Sequence, residues 1–168
     1  QVTNPPIDSL REASVMSLET CYGPELNVFD ETPDHAKRLV TTSPVLSFKK
    51  LQSILNNKHF EFVEINLEYN EKTTLEKALI KLQDQVISYV KKGKVIIHLV
   101  EKLPSGKKYP INALLAVGCV HQKLVNLGLR SDANIVVSSS SARDTHQIAC
   151  LIGFGATAVY PSLAYQTI

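Results

Sequence analysis

The sequence has no excess of either charge. Eighteen Lys and Arg stand against sixteen Asp and Glu, for a net charge of +2. That balance leaves no electrostatic footprint for nucleic acid or for an anionic membrane surface. No apolar run reaches the ~20 residues a bilayer-spanning helix needs, and no signal peptide is expected in these residues. Cysteine is scarce: Cys21, Cys119 and Cys150 are widely spaced, with no Cys-x-x-Cys pair to suggest structural zinc or a redox couple. Cys119 and Cys150 fall in apolar helical sequence, where small buried thiols are common. A reducing compartment, the cytoplasm, is the expected setting.

Recognisable reactive motifs are missing too. His35, His59, His98, His121 and His146 show no i, i+4 pair and no HExxH, so no metal site is expected. There is no Gly-x-Ser-x-Gly elbow for a Ser-His-Asp nucleophile. Gly153 and Gly155 in "GFGATAV" sit between a helix and a strand, the reverse of the strand–glycine–helix order of a dinucleotide fingerprint. No catalytic, cofactor-binding or metal-ligating residue is assigned.

What is present is a globular domain's worth of chain. Its 168 residues, 44% hydrophobic and 20% charged, fit one domain with a real core. The chain opens on "QVTNPPIDSLRE", a proline-stiffened strut with no initiator Met. The expectation is a piece of a longer polypeptide, cut at both ends.

Residues 1–58 read as a wrapper of helices and loops without a convincing strand. Ser9 and Glu12 have capping-box spacing for a helix "SLREASVMSLET" that stops before Gly23-Pro24. "ETPDHAKRLV" predicts a second helix, with Thr32 as N-cap and Pro33 in its first turn. Ser47 caps a third, "FKKLQSILNN".

Residues 59–168 alternate strand and helix. "FEFVEINLEY" carries period-2 alternation. "TTLEKALIKLQDQVISYVKKG" follows, opened by a Thr73–Glu76 capping box, with Leu75, Leu79, Leu82, Val86 and Val90 on one face and Gly93 as its left-handed stop. "KVIIHLV" reads as a strand buried on both faces. An apolar helix then runs from Pro110 to Gly128, with Gly118 permitting close approach. "ANIVVSS" is a third strand, "SARDTHQIACLIG" a helix capped by Ser141 and stopped by Gly153, and "TAVY" a fourth strand. The order β-α-β-α-β-α-β implies an α/β fold with a mostly parallel sheet, either about half of a (β/α)8 barrel or a small doubly wound sheet.

Ligands of such folds sit beyond the carboxyl ends of the strands. Among those loops, "VVSSSSARD" with Arg143 suggests either a phosphate site at a helix N-terminus or serines that simply cap the helix. Glu101 and Lys102, just past the second strand, read as acid–base candidates or as an ordinary surface pair. His98 is either a core imidazole with a hydrogen-bond partner or an interface residue.

The stretches at residues 3–47 ("TNPPIDSLREASVMSLETCYGPELNVFDETPDHAKRLVTTSPVLS"), 110–130 ("PINALLAVGCVHQKLVNLGLR") and 136–159 ("VVSSSSARDTHQIACLIGFGATAV"), with the terminal "YPSLAYQTI", resemble the central domain of the glutamate synthase large subunit. The resemblance covers nearly the whole chain. It implies a non-catalytic domain between a glutamine amidotransferase domain and a flavin-binding (β/α)8 domain, helping to wall the ammonia channel. FMN and an iron–sulfur cluster are implied elsewhere in the parent enzyme, and none in this domain. The implied partners are those flanking domains, with no nucleic acid and no membrane. Thr3, Asn4, Pro5, Pro6, Glu101, Lys102 and Arg143 are the candidate interdomain or channel residues. Departures from the family pattern fall mainly in post-strand loops: Val100-Glu101-Lys102 stands for the usual Ser-Asp-Arg, Ser138 to Ser141 for Glu-Ser-Gly-Glu, His121-Gln122 for His-His, and Tyr160-Pro161-Ser162 for Asn-Pro-Tyr. Two other readings are an anion-binding half-barrel module or enzyme using Arg143, Glu101 and Lys102, and a scaffold that forms a homo-oligomer through open sheet edges.

Overall fold

The computed structural model describes residues 13, 15–104 and 106–167. Thr3, Asn4, Pro5, Pro6 and the Ser9–Glu12 capping box lie outside them.

The leading portion contains strand after all. Thr20–Tyr22 (β1) pairs antiparallel with Leu39–Thr41 (β2), Thr20 opposite Thr41 and Tyr22 opposite Leu39. The helix expected over residues 31–40 shrinks to one 3-10 turn, Pro33–Ala36, and Thr32 makes no side-chain cap bond. Pro33 suits a first turn, but Leu39, Val40 and Thr41 gain more from strand pairing than from helix continuation. Between the two strands, Gly23 adopts φ +143°, and a Cβ there would meet Arg38 Cδ at 3.0 Å. The predicted third helix forms as Phe48–Leu55 (α1), with Ser47 Oγ accepting from Lys50 N at 3.4 Å.

The core is a four-stranded, wholly parallel, open sheet. Phe62–Asn66 (β3) lies at one edge. Glu68–Asn70 (β4) leaves the sheet, and Leu75–Lys91 (α2) crosses back to Ile96–Val100 (β5). Lys108–Pro110 (β6) pairs antiparallel with β4 before Ala113–Asn126 (α3) leads to Asn134–Ser139 (β7). Thr145–Gly153 (α4) leads to Ala158–Pro161 (β8), and a short helix, Ser162–Gln166 (α5), follows. The strand order is β3-β5-β7-β8, as βα repeats resembling part of a barrel require. The sheet does not close.

Each face of the sheet has its own cover. Ile65, Ile97, Leu99, Ile135, Val137 and Val159 pack under Leu82, Val86, Val117, Val120, Leu124 and Leu151 of the three long helices. The opposite face presents Ile96, Val136 and Ala158, and these meet Tyr22, Leu46, Leu51 and Ile54. Thus β1, α1 and the segment before α1 lie where the hollow of a closed barrel would be. Full burial of a Leu or Ile contributes roughly 1.5–3 kcal/mol, so the wrapper is a substantial part of the core. It also closes one sheet edge: Leu46 N donates to Val159 O and Val159 N to Pro44 O, both at 2.8 Å. Val45 thereby bridges β8 in parallel. The outer edge of β3 pairs with no described strand.

Several helix starts differ from the sequence reading, each because a better hydrogen-bond partner exists. Thr74, not Thr73, caps α2 by accepting from Lys77 N. The next helix opens at Ala113 because Pro110 is held in β6, and Asn112 Oδ1 accepts from Leu114 N at 3.0 Å. Asp144 rather than Ser141 caps α4, accepting from Gln147 N at 2.8 Å. Gly153 is that helix's last residue, and the left-handed position falls on Gly155 at φ +116°. Gly93 and Gly118 behave as expected: Gly93 has φ +85°, and a Cβ on Gly118 would meet Phe154 at 3.0 Å. Cys119 and Cys150 are half-buried rather than core residues, and Cys21 is exposed.

Candidate functional site

The sheet's alternation places one inward polar side chain on each of the four strands, in a layer next to the apolar Ile96–Val136–Ala158 layer. These are Glu64 on β3, His98 on β5, Ser138 on β7 and Tyr160 on β8. Glu64 and His98 are register partners, as are Ser138 and Tyr160. His98 Nε2 lies 2.7 Å from Ser138 Oγ. On its other side, Nδ1 is 3.3 Å from Glu64 Oε2, without hydrogen-bond alignment. His98 is 3% exposed. Burial holds its pKa below the ordinary histidine value, against the opposing pull of the Glu64 carboxylate. The imidazole is therefore neutral at physiological pH. His98 is a core imidazole with a partner, and its neighbours make it more than that.

Beyond this row, at the carboxyl end of the sheet, opens a cavity of about 470 Å³. Leu51, Leu55, Leu103 and Leu163 give it apolar walls, and Glu64, His98 and Ser138 converge on it. Phe48 and Tyr160 stand with ring centroids 6.1 Å apart. An apolar cleft with a few convergent polar groups is the usual form of a small-molecule site.

Glu101 does not pair with Lys102 at the surface. It is 5% exposed and points into the serine loop. Its Oε2 accepts from Ser139 Oγ (2.7 Å), Ser140 N (3.0 Å), Ser141 N (3.0 Å) and Ser141 Oγ (2.8 Å). Its Oε1 accepts from Ala113 N at 3.0 Å, joining the start of α3 to the same loop. The donors that suggested a phosphate site thus already hold an anion, and the anion is the protein's own carboxylate. Five charge-assisted hydrogen bonds compensate its burial. Lys102 and Arg143 are exposed and do not converge on it. Arg143 N instead donates to Gln147 Oε1 at 2.7 Å.

Among the described residues no group of three or more His, Cys, Asp and Glu is placed to hold a metal ion, and no helix is long and apolar enough to cross a membrane. The Glu64–His98–Ser138 row went unseen in the sequence because its members lie 34 and 40 positions apart. Only strand parity and register, which need the assembled sheet, bring them together.

The glutamate synthase central domain family matches residues 1–168. A ferredoxin-dependent glutamate synthase of Oryza sativa subsp. japonica is 38% identical over 99% of this chain and 11% of its own length. The large chain of an NADPH glutamate synthase from Bacillus subtilis is 35% identical over 99% of this chain and 11% of its own length. An NADH glutamate synthase of Saccharomyces cerevisiae is 31% identical over the whole chain and 8% of its own length. The chain therefore spans about a tenth of the curated relatives it matches. With a match of this extent, on a parallel sheet of βα repeats that the strand–helix order had implied, the chain belongs to the glutamate synthase central domain family.

Proposed function

We propose that these residues form a spacer that joins a glutamine amidotransferase domain to a flavin-binding synthase domain and helps wall the ammonia passage between them. The observation that carries this reading is the occupied serine loop. In a flavin barrel a phosphate is bound at strand-end loops and helix N-termini, and here Glu101 has taken those donors. Leu51, Ile54 and Leu46 fill the inner face as well. A fold so plugged suits a rigid spacer better than a second flavin site. FMN and the iron–sulfur cluster then belong to other parts of the parent enzyme. Similarity to ferredoxin-, NADPH- and NADH-named relatives alike fits a domain that does not select the electron donor.

The exposed Lys102 and Arg143, together with Thr3, Asn4, Pro5 and Pro6, are the proposed interdomain contacts. The test uses the parent enzyme. Ammonia kept from bulk water gives one glutamine hydrolysed per 2-oxoglutarate consumed. Replacing Lys102 and Arg143 together by Ala should raise that ratio while leaving glutaminase activity intact. An unchanged ratio removes these two contacts from the reading. Saturable flavin binding by residues 1–168 alone would overturn the spacer role itself.

A second reading, a homo-oligomer, is favoured by one observation: the outer edge of β3 is unpaired among the described strands. Light scattering on the pure chain decides it, and a strictly monomeric mass removes it.

A further inference from the structure

We propose that Ser138 is a nucleophilic serine, activated by His98 and oriented through Glu64, and that the adjoining cavity admits small neutral esters to it. This goes beyond the spacer reading and does not depend on it. The nucleophile–base contact, Ser138 Oγ to His98 Nε2, is 2.7 Å, the separation such pairs require. Glu64 accepts only. Its carboxylate beside Nδ1 therefore favours the tautomer with the proton on Nδ1, leaving Nε2 to accept the serine proton. The 3.3 Å gap to Glu64 is long, but catalytic contacts are often loose in an unliganded protein. Glu64 is half exposed.

The cavity of about 470 Å³ gives a reacting group room beside both residues. Its apolar walls suit an uncharged acyl chain. Tyr160, register partner of Ser138 on the same face, also lines this cavity. In the reaction, Ser138 Oγ attacks the carbonyl carbon as its proton passes to His98 Nε2. The carbon–oxygen bond of the ester breaks, and the alcohol leaves with that proton. A water deprotonated by the same imidazole then releases the acid and restores the serine.

Sequence reading set Ser-His-acid chemistry aside for want of a Gly-x-Ser-x-Gly elbow. Here the serine sits near the end of a parallel strand instead, so the constellation is recognised by geometry and not by motif.

The experiment is labelling with diisopropyl fluorophosphate, in which an Oγ–P bond forms, the P–F bond breaks and fluoride leaves. The tryptic peptide Ser131–Arg143 locates the adduct by tandem mass spectrometry. One adduct is expected, at Ser138, and Ser138→Ala should abolish it while the protein still melts cooperatively. His98→Gln should slow labelling about 100-fold, a typical general-base contribution. The charged and titratable groups sharing the cavity with His98 are Glu64, Glu101, Lys102 and Tyr160. Of these Glu64 faces Nδ1, so Glu64→Gln should move the inflection of the labelling-rate profile to lower pH. Glu64→Gln should also lower the plateau rate of labelling, and a shifted inflection with an unchanged plateau would make Glu64 an electrostatic neighbour only and remove it from the relay. Absence of an adduct on the folded wild-type protein, or labelling that persists at the same rate in Ser138→Ala, overturns the proposal.

Discussion

A buried polar side chain is tolerated when its partners are counted out in advance, and Glu101 and Arg130 show both halves of that rule. Glu101 satisfies five donors drawn from two segments. Glu101→Ala strands several buried N–H and O–H groups at once, each costing about 1–3 kcal/mol. A loss of about 3 kcal/mol or more in urea unfolding is expected, and a loss under about 1 kcal/mol would mean the loop repacks freely. Arg130 plays the opposite part, as a donor. Its guanidinium reaches His121 Nδ1 at 3.0 Å, Ala133 O at 2.5 Å and Gly155 O at 2.9 Å. It pins α3, the start of β7 and the turn before β8. Lysine cannot reproduce that planar fork, and Gly155 cannot be altered beneath it. A Cβ at Gly155 would stand 2.3 Å from His121 Nδ1, on a backbone at φ +116°. Arg130→Lys should cost about 1–3 kcal/mol and Gly155→Ala more than that, by denaturant titration.

His98 and His121 give the protein an acid limit. Burial lowers the pKa of His98, and burial together with the neighbouring Arg130 lowers that of His121. The unfolded chain then binds protons that the folded one refuses. Stability therefore falls as pH drops through the unfolded value of 6.5 and levels off once the folded groups also protonate. The melting temperature should decline from pH 7.5 to 5.5. His98→Gln should flatten the decline, and an equally steep decline in that variant would assign the effect elsewhere.

At the scale of elements, what was legible in the sequence is what local periodicity determines. Helix α2 shows its Leu82–Val86–Val90 stripe on one face, and β5 and β7 are unbroken apolar runs. Short elements were not legible. Strands β1, β2, β4 and β6 have three residues each, too few to display a period, and pairing with a distant partner alone decides them. Caps were misplaced by one to three positions wherever adjacent hydroxyl or carboxylate residues competed. Thr73 and Thr74 are chemically equivalent as caps, while Ser141 lost to Asp144 because Glu101, forty positions away, claims its N–H and hydroxyl. The site was the least legible of all. Glu101 reads in the sequence as an acid–base candidate or as half of a surface pair with Lys102, because nothing local announces a carboxylate buried among backbone donors.

Taken as a whole, the molecule answers a topological problem: half a barrel exposes an inner face and two edges. The described residues before β3 address the face and one edge together. Leu46 and α1 cover Ile96, Val136 and Ala158, and the Pro44–Leu46 backbone completes the hydrogen bonding of β8. The wrapper is thus structurally part of the sheet, although its sequence carries none of the βα rhythm. This predicts the behaviour of a fragment cut where that rhythm begins. Residues 59–168 retain all four parallel strands and their covering helices, and on periodicity alone should fold. Without the wrapper, however, three strands lose the cover of their inner apolar side chains, and β8 regains a bare edge prone to association. The fragment is expected to bind a hydrophobic dye such as ANS, to self-associate and to melt without a cooperative transition. A single sharp transition within a few degrees of the full chain would show that the helical face alone specifies the fold, and that the wrapper is only an attachment.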